Sequence, residues 1–236
     1  MKKLILICTV LLSAIAQAQT AEEIIQKFDA HLGGLNKFKN VQSFKMTGNI
    51  TVQGMELPIT MQAIPGKAVR TDVEVMGSSV VSAYKDGKGW KVNPFAGAQE
   101  PTDMTDKELA DALEQTDAEI SLISYKDKGA SVELMGKETV QGQETYKIKY
   151  TPKSGGVPSF YYLNTATSAL VKSSKRTEIM GTEMEIETLY SNVQEVDGLK
   201  FYLGMQQTAG GQELQDIRFD KIELNVPINE KIFDKP

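Results

Sequence analysis

Apolar and polar residues alternate with a period of two along most of this chain, and this pattern constrains the fold more than any other feature. Such alternation is typical of antiparallel strands with one buried face and one wet face. The clearest runs lie at 44–52, 57–63, 69–75, 132–134, 146–150, 184–186, 201–203 and 217–219. Turn pairs such as Gln53-Gly54, Asp86-Gly87 and Asp197-Gly198 separate the runs at hairpin spacing. The pattern predicts about ten strands.

A sheet of so many consecutive antiparallel strands is strongly twisted and tends to curl toward a barrel or half-barrel. Helical patterns cover 20–32, with one further turn at 35–39, and a segment around 105–123. The two longer patterns each begin with a capping box, at Thr20 and at Thr105. Their apolar stripes are too thin to fill such a sheet, so an apolar cavity should remain. The predicted fold class is α+β, mostly β: an incomplete antiparallel β-barrel with helices plugging its concave face.

The N-terminus has the three parts of a secretory signal peptide. The basic pair Lys2-Lys3 precedes an apolar run over 4–16, which ends in the small-x-small cleavage signature Ala16-Gln17-Ala18. The run is too short to span a bilayer. We therefore expect 1–18 to be a cleaved signal peptide and 19–236 to form a single soluble domain in the periplasm.

Composition argues against several classes of site. Cys8, the only cysteine, lies in the expected signal peptide, so the mature chain should have no disulfide and no thiol chemistry. Removing the two lysines of that peptide leaves 24 basic against 31 acidic residues, a formal charge of −7. A nucleic-acid partner is not expected, because no Lys/Arg block is present. With His31 as the only histidine, no metal site and no catalytic residue is predicted.

Several short strings, in their order and spacing, resemble the bacterial outer-membrane lipoprotein carrier/receptor superfamily, known as LolA/LolB-like, and above all its divergent lipoprotein-sorting members. These strings lie at 30–35, 41–48, 65–70, 84–90, 161–164, 170–172, 196–200 and 233–236. The resemblance extends over essentially the whole mature chain. It implies a half-barrel over 19–236 whose cavity takes the acyl chains of a lipoprotein or of another lipid, and it implies no cofactor.

The resemblance also suggests particular roles and partners. Arg70 follows the turn at Pro65, like the carrier's arginine that helps to hold a helical lid closed, so a lid contact is implied; Thr71 stands where the carrier usually has an aromatic residue. A long apolar protruding loop and a lipid-modified cysteine, which mark the receptor, are missing, which favours a soluble, monomeric, non-enzymatic carrier. An inner-membrane donor complex and an outer-membrane acceptor are the further partners to consider.

Strand parity predicts which side chains form the lipid-binding wall. A shift of one residue would move a whole apolar set to the other face, so the apolar members of the early runs should all point inward. Methionine suits such a wall because its thioether adapts to irregular apolar ligands. Trp90 follows a turn at a strand start and is placed at the cavity mouth. The predicted lipid-binding residues are Met46, Ile50, Ile59, Met61, Val73, Val75 and Trp90.

Two alternatives to a carrier stay open. In the first, the chain is a periplasmic scaffold or interaction module whose barrel is filled by its own side chains. In the second, it is a hydrolase acting on a bound lipid. A hydrolase would need a serine beside a base within the cavity, whereas His31 lies at the end of the predicted N-terminal helix, next to two glycines.

Cleavage after Ala18 is directly testable. We expect the exported protein to begin at Gln19 and to fractionate with the periplasm, because the cleavage signature is present and Cys8 lies far from it. Intact-mass analysis of the purified protein checks this. A mass that includes residues before Gln19, or acylation at Cys8, contradicts the prediction.

Overall fold

The computed structural model describes residues 19–179 and 181–236, so the predicted signal peptide lies outside the described residues. Three α-helices and thirteen strands are present in these ranges. The helices are α1 (Ala21–Leu32), α2 (Leu35–Phe38) and α3 (Asp106–Gln115). The strands are β1 (Phe44–Val52), β2 (Met55–Ile64), β3 (Ala68–Val75), β4 (Ser78–Lys85), β5 (Lys88–Asn93), β6 (Ala98–Asp103), β7 (Ser131–Val140), β8 (Gln143–Thr151), β9 (Ser159–Asn164), β10 (Leu170–Ile179), β11 (Thr182–Val196), β12 (Leu199–Ala209) and β13 (Gln212–Leu224).

All thirteen strands form one antiparallel sheet, in the order β6-β5-β4-β3-β2-β1-β13-β12-β11-β10-β9-β8-β7. The sheet is not closed into a barrel, so the predicted incomplete barrel is confirmed. The number of strands exceeds the predicted ten. Asp86-Gly87 predicts the turn between β4 and β5, but no clear alternating run marks β4 to β6, because residues such as Val80-Val81 break a strict period of two.

The first and last strands meet in the middle of the sheet, where β1 pairs with β13. A register shift between Thr47 and Gly48 interrupts this pairing. A Cβ atom on Gly48 would lie 2.1 Å from the carbonyl oxygen of Arg218 and 2.5 Å from the Cα of Phe219. The backbones therefore approach so closely at this bulge that only glycine fits.

The predicted capping boxes are both present. Thr20 caps α1 with Glu23, and Thr105 caps α3 with Glu108. Gly33 ends α1 with φ +105°, and a Cβ there would lie 2.1 Å from the carbonyl oxygen of Gly198. Since that contact needs a bare backbone, Gly33 both stops the helix and seats it on the β11–β12 turn.

The helical prediction fails beyond Gln115. Residues 116–130 form successive turns instead of a second stretch of helix. Thr116, Leu122 and Ile123 are nevertheless buried, so tertiary burial fixes this segment, whose backbone makes only isolated turn hydrogen bonds such as that from Lys128 N–H to the carbonyl oxygen of Ser124. We call α3 together with residues 116–130 the lid. It lies on the face of the sheet that α1 also covers, which we call the inner face.

The C-terminal segment packs on the opposite, outer face. A 3₁₀ helix at Glu230–Phe233 contacts β3 and β4. Phe233 is only 2% exposed, and its carbonyl oxygen accepts a hydrogen bond of 2.9 Å from Trp90 Nε1. Ion pairs from Lys67 and Lys85 to Glu230 hold the segment at its edges. Among residues 19–179 and 181–236, no helix is long and apolar enough to cross a bilayer.

Phe233→Ala tests how strongly the C-terminal segment stabilises the sheet. We expect the free energy of unfolding to fall by roughly 3–5 kcal/mol, the usual cost of deleting a buried phenylalanine ring. Lys231→Ala is the matched control: Lys231 is exposed on the same segment, and its loss should cost less than about 0.5 kcal/mol. Urea unfolding followed by circular dichroism measures both. Equal stabilities of the two variants would contradict the prediction.

Candidate functional site

A cavity of about 550 Å³ lies between the inner face of the sheet and the helices. The sheet supplies most of its apolar wall, and the lid supplies most of its polar rim. The sheet residues that line it are Phe44, Met46, Met61, Tyr161, Tyr190, Lys200, Phe201, Tyr202, Met205, Phe219 and Ile222. The helices and the lid add Leu32, Phe38, Asp111, Glu114, Gln115, Asp117, Ala118, Glu119, Ile120 and Ser121.

Strand register explains why so many apolar side chains converge on this wall. Met46 lies opposite Met61 on β2 and opposite Ile222 on β13, and directly opposite residues share a face. On the other half of the sheet, Tyr190 lies opposite Met205. Alternation along each strand then sends the intervening polar residues to the outer face.

Three tyrosines lie on the wall, and burial raises the pKa of each. Tyr202 accepts a hydrogen bond of 2.7 Å from the backbone N–H of Leu170, and burial raises its pKa to about 12. Tyr190 shares a hydrogen bond of 3.0 Å with Ser173, and burial raises its pKa. Burial also raises the pKa of Tyr161. The wall thus favours neutral over charged groups.

Hydrogen bonds and ion pairs hold the lid over the cavity. The hydroxyl of Thr116 donates to the carbonyl of Leu113 at 2.7 Å and accepts from the backbone N–H of Gly66 at 3.1 Å. Lys128 pairs with Asp117 at the cavity rim. Burial nevertheless raises the pKa of Asp117 above its ordinary value, against the opposing effect of Lys128.

Further ion pairs connect the lid to its surroundings. Lys91 on β5 pairs with Glu108 on α3, and the hydrogen bond from Lys91 lowers the pKa of Glu108. Lys126 pairs with Glu22 on α1. The lid is therefore tied to the sheet on one side and to the N-terminal helix on the other. Exposed pairs of this kind are individually weak.

The predicted wall residues are only partly brought together. Met46 and Met61 line the cavity. Ile50 and Ile59 belong to the same inner-face core, and Val73 packs against it. Val75 shares that face by register, opposite Ser78, and none of Ile50, Ile59, Val73 and Val75 lines the cavity. The aromatic half of the wall, Tyr161, Tyr190, Tyr202, Phe201 and Phe219, was not predicted as a site. Alternation marked these strands, but adjacent aromatics such as Tyr161-Tyr162 hide which one points inward.

Arg70 and Trp90 lie on the outer face, away from the cavity. Register places Arg70 opposite Ala83 and Ala83 opposite Trp90, so the three share a face. Arg70 donates to Asp72 and, at 2.6 Å, to the carbonyl oxygen of Ile232 in the C-terminal segment. Its guanidinium also lies 5.6 Å from the ring centre of Trp90.

These positions correct two expectations about the site. Arg70 contacts the C-terminal segment instead of the lid, and Trp90 is not at the cavity mouth. Both follow from strand parity, because Thr71 and Gly89, their neighbours in sequence, occupy the inner-face positions. The turn that precedes Arg70 does reach the lid, through the hydrogen bond between Gly66 and Thr116.

His31 does not belong to the cavity wall. It is half-buried at the end of α1, and its Nε2 atom has no hydrogen-bond partner among the described residues. Burial lowers its pKa, and the nearby positive charge of Lys200 lowers it further. Within 19–179 and 181–236, no group of three or more potential metal-ligating side chains is clustered.

The comparisons with known proteins show what this fold is similar to. A LolA superfamily protein from Nitrosomonas europaea has a TM-score of 0.60 and 14% identity, over 92% of this chain and 99% of that chain. A domain described as a putative outer membrane lipoprotein-sorting protein, from Vibrio parahaemolyticus, has a TM-score of 0.58 and 13% identity, over 91% of this chain and 97% of that chain. A DUF1329 family protein from Desulfovibrio piger has a TM-score of 0.60 and 12% identity, over 92% and 98%.

At the level of sequence, no family model matches the chain, and no curated protein matches it. The structural likenesses nevertheless extend over nearly the whole of each chain. They confirm the predicted resemblance for the fold, which is a divergent LolA-like half-barrel. At 12–14% identity they show the architecture alone.

The buried wall tyrosines predict how stability changes at alkaline pH. A tyrosine whose pKa is raised in the folded state binds its proton more tightly there than in the unfolded chain. Stability from this source is complete below pH 10 or so and is lost as pH rises toward the folded pKa. We expect Tyr161→Phe to make the free energy of unfolding fall less steeply between about pH 9 and about pH 11. Urea unfolding across that range measures the slope, and a slope equal to that of the parent protein would contradict the prediction.

Proposed function

We propose that this chain is an exported, non-enzymatic carrier that sequesters the acyl chains of lipoproteins or of other lipids. The observation that carries the proposal is the cavity of about 550 Å³ with a methionine-rich and aromatic wall. Small-molecule sites commonly enclose roughly 300–1,000 Å³ and have mainly apolar linings. The similar domain from Vibrio parahaemolyticus, described as lipoprotein-sorting, supports the same direction.

Burial of an acyl chain supplies enough free energy without a charged clamp. Each buried CH₂ group is worth roughly 0.8 kcal/mol, so a chain of ~16 carbons gains on the order of 10 kcal/mol before the cost of ordering it. Met46, Met61 and Met205 lie on the wall, and flexible thioethers can adapt to chains of different length. The proposal therefore names a class of ligand by its acyl chain and leaves the head group outside the apolar wall.

Loading and release would require the lid to move. Residues 116–121 contribute to the cavity rim, and the Thr116–Gly66 hydrogen bond and the Asp117–Lys128 pair hold them in place. Neither contact belongs to the pairing between strands, so opening the lid need not disturb the sheet. Release would then depend on a competing hydrophobic acceptor, because an acyl chain gains nothing by leaving for water.

The proposal includes location and partners. A carrier of this kind would act as a monomer in the periplasm, as residues 19–236 after removal of the signal peptide. It would take its cargo from an inner-membrane donor complex and deliver it to an outer-membrane acceptor.

The two alternatives make different demands on the cavity. A scaffold filled by its own side chains does not require a cavity of this size. A hydrolase requires a base beside the ligand, and His31, the only histidine, is not among the lining residues. Native mass spectrometry of the protein purified without detergent separates the carrier from the scaffold. Co-purified lipid supports the carrier, and a mass of the bare chain that persists after incubation with lipid contradicts it.

Met61→Asp tests the wall directly. The substitution places a carboxylate in an apolar cavity, where burying the negative charge costs free energy unless the group is protonated. We expect the affinity for a fluorescent fatty-acid probe to fall by about tenfold or more, since each 1.4 kcal/mol of lost binding is a factor of ten. Titration of the probe measures the affinity, and circular dichroism confirms that the variant folds.

Thr60→Asp is the matched control. Thr60 is the neighbour of Met61 on β2, and it lies on the outer face, opposite Thr47 and Asp72. A carboxylate there stays in contact with water, so probe binding should be almost unchanged. If both variants bind the probe as the parent protein does, the wall is not the ligand site.

A further inference from the structure

Large apolar side chains are exposed at one end of the sheet. Because the strands are antiparallel and follow one another, alternate connections meet at the same end. One end carries the connections β1–β2, β3–β4, β5–β6, β8–β9, β10–β11 and β12–β13. Five of the eight exposed large hydrophobics among the described residues lie in or beside these connections, which makes a random scatter a poor explanation. We call them the apolar rim: Met55, Met76, Phe95, Val157 and Leu214, with exposed fractions from 38% for Leu214 to 88% for Met76.

Turn geometry does not account for the methionine at the most exposed position. Met76 and Gly77 both have positive φ, at +47° and +81°. Two-residue hairpin turns of this kind favour Asn, Asp or Gly at the first position. At the opposite end of the sheet the same conformation is taken by Asp86-Gly87, Gln141-Gly142 and Asp197-Gly198. On the rim side, Gln53-Gly54 keeps a polar first residue, and the apolar side chain there is the adjacent Met55.

Packing within the fold does not account for the rim either. At 88% exposure Met76 gains almost no burial from folding. Neighbouring strands lie about 4.8 Å apart, so successive hairpin tips are separated by roughly 10 Å. Met55, Met76 and Phe95 are therefore separate exposed side chains along this end of the sheet, and they do not form one contiguous patch. A protein partner would need a continuous, closely packed core of contact.

We propose that the apolar rim docks on a lipid bilayer whose surface carries no net negative charge. Separate apolar tips can each enter the soft interfacial region of a bilayer independently, which a rigid protein surface does not permit. The charge around the tips selects the kind of bilayer, because Glu56 and Glu74 are exposed beside Met55 and Met76. Carboxylates there are repelled by anionic lipids and tolerated by zwitterionic ones.

The position of the N-terminal helices is compatible with this orientation. Gly33, at the end of α1, lies against Gly198 in the β11–β12 turn, which is at the end opposite the rim. Docking at the rim would therefore leave α1 and α2 away from the bilayer. Membrane docking goes beyond the proposed function, because a carrier could load and release its cargo entirely through contacts with other proteins.

Vesicle flotation of residues 19–236 tests the proposal. The parent protein should float with phosphatidylcholine vesicles and bind phosphatidylglycerol vesicles more weakly. The triple variant Met55→Ser/Met76→Ser/Phe95→Ser should lose about tenfold or more in its partition coefficient for phosphatidylcholine. All three side chains are exposed, so the variant should keep the melting temperature of the parent protein.

Two comparisons make the result specific. Met135→Ser/Val193→Ser removes apolar side chains of similar exposure, 49% and 46%, from the middle of β7 and from β11 near its Asp197 turn, and its flotation should match that of the parent. Glu56→Gln/Glu74→Gln should narrow the difference between the two kinds of vesicle. The proposal is overturned if the parent protein floats with neither vesicle, which would leave a protein as the partner, or if the triple variant floats like the parent.

The carrier proposal and the docking proposal can fail separately. The triple variant leaves the cavity wall intact, so it should bind the fluorescent fatty-acid probe as tightly as the parent protein does. Loss of flotation with retained probe binding supports the rim as a docking surface. Loss of both in a folded protein would show that the rim belongs to the ligand site, and this would overturn docking as a distinct role.

Discussion

Pairing between β1 and β13 holds the two halves of the sheet together. It joins the first strand to the last across nearly the whole chain, and it is interrupted by a bulge at which Gly48 meets the backbone of Arg218 and Phe219. From this centre, β1 to β6 extend to one edge and β12 to β7 to the other. Every other pairing is between neighbours in sequence. The order of the strands therefore depends on one long-range contact, and a side chain at residue 48 would obstruct it.

The cavity follows from this arrangement. Because the first half ends at one edge and the second half begins at the other, the chain between β6 and β7 has to cross the inner face. That crossing is the lid, α3 with residues 116–130, and it is held to the rest of the molecule by the Thr116–Gly66 hydrogen bond and by the Lys91–Glu108 and Lys126–Glu22 pairs. The lid is polar toward the cavity rim, and Leu122 and Ile123 are the only large apolar side chains that it buries fully. A cover this thin over a wide curled sheet leaves the apolar volume on which the proposed carrier function rests.

The two faces of the sheet have different roles in the structure. The inner face holds the main core and the cavity. The outer face holds the C-terminal segment, fastened through Phe233, Arg70 and Trp90. Arg70 and Trp90 thus stabilise the sheet from outside, on the reverse of the wall formed by Met46 and Met61. The apolar rim lies at one end of the sheet, so docking there would involve neither the inner nor the outer face.

Local periodicity and hydrogen bonds between near neighbours were enough to predict most of the strands, the capped starts of the helices at Thr20 and Thr105, and the parity of Met46 and Met61. The sequence did not show where β1 meets β13, which of Tyr161 and Tyr162 faces inward, or why residues 116–123 avoid a helix despite a helical pattern. Nor could it place Arg70 under Ile232, since those residues are 162 positions apart. These features depend on the folded chain, because register shifts, burial and long-range contacts override local preference wherever a distant strand supplies the partner.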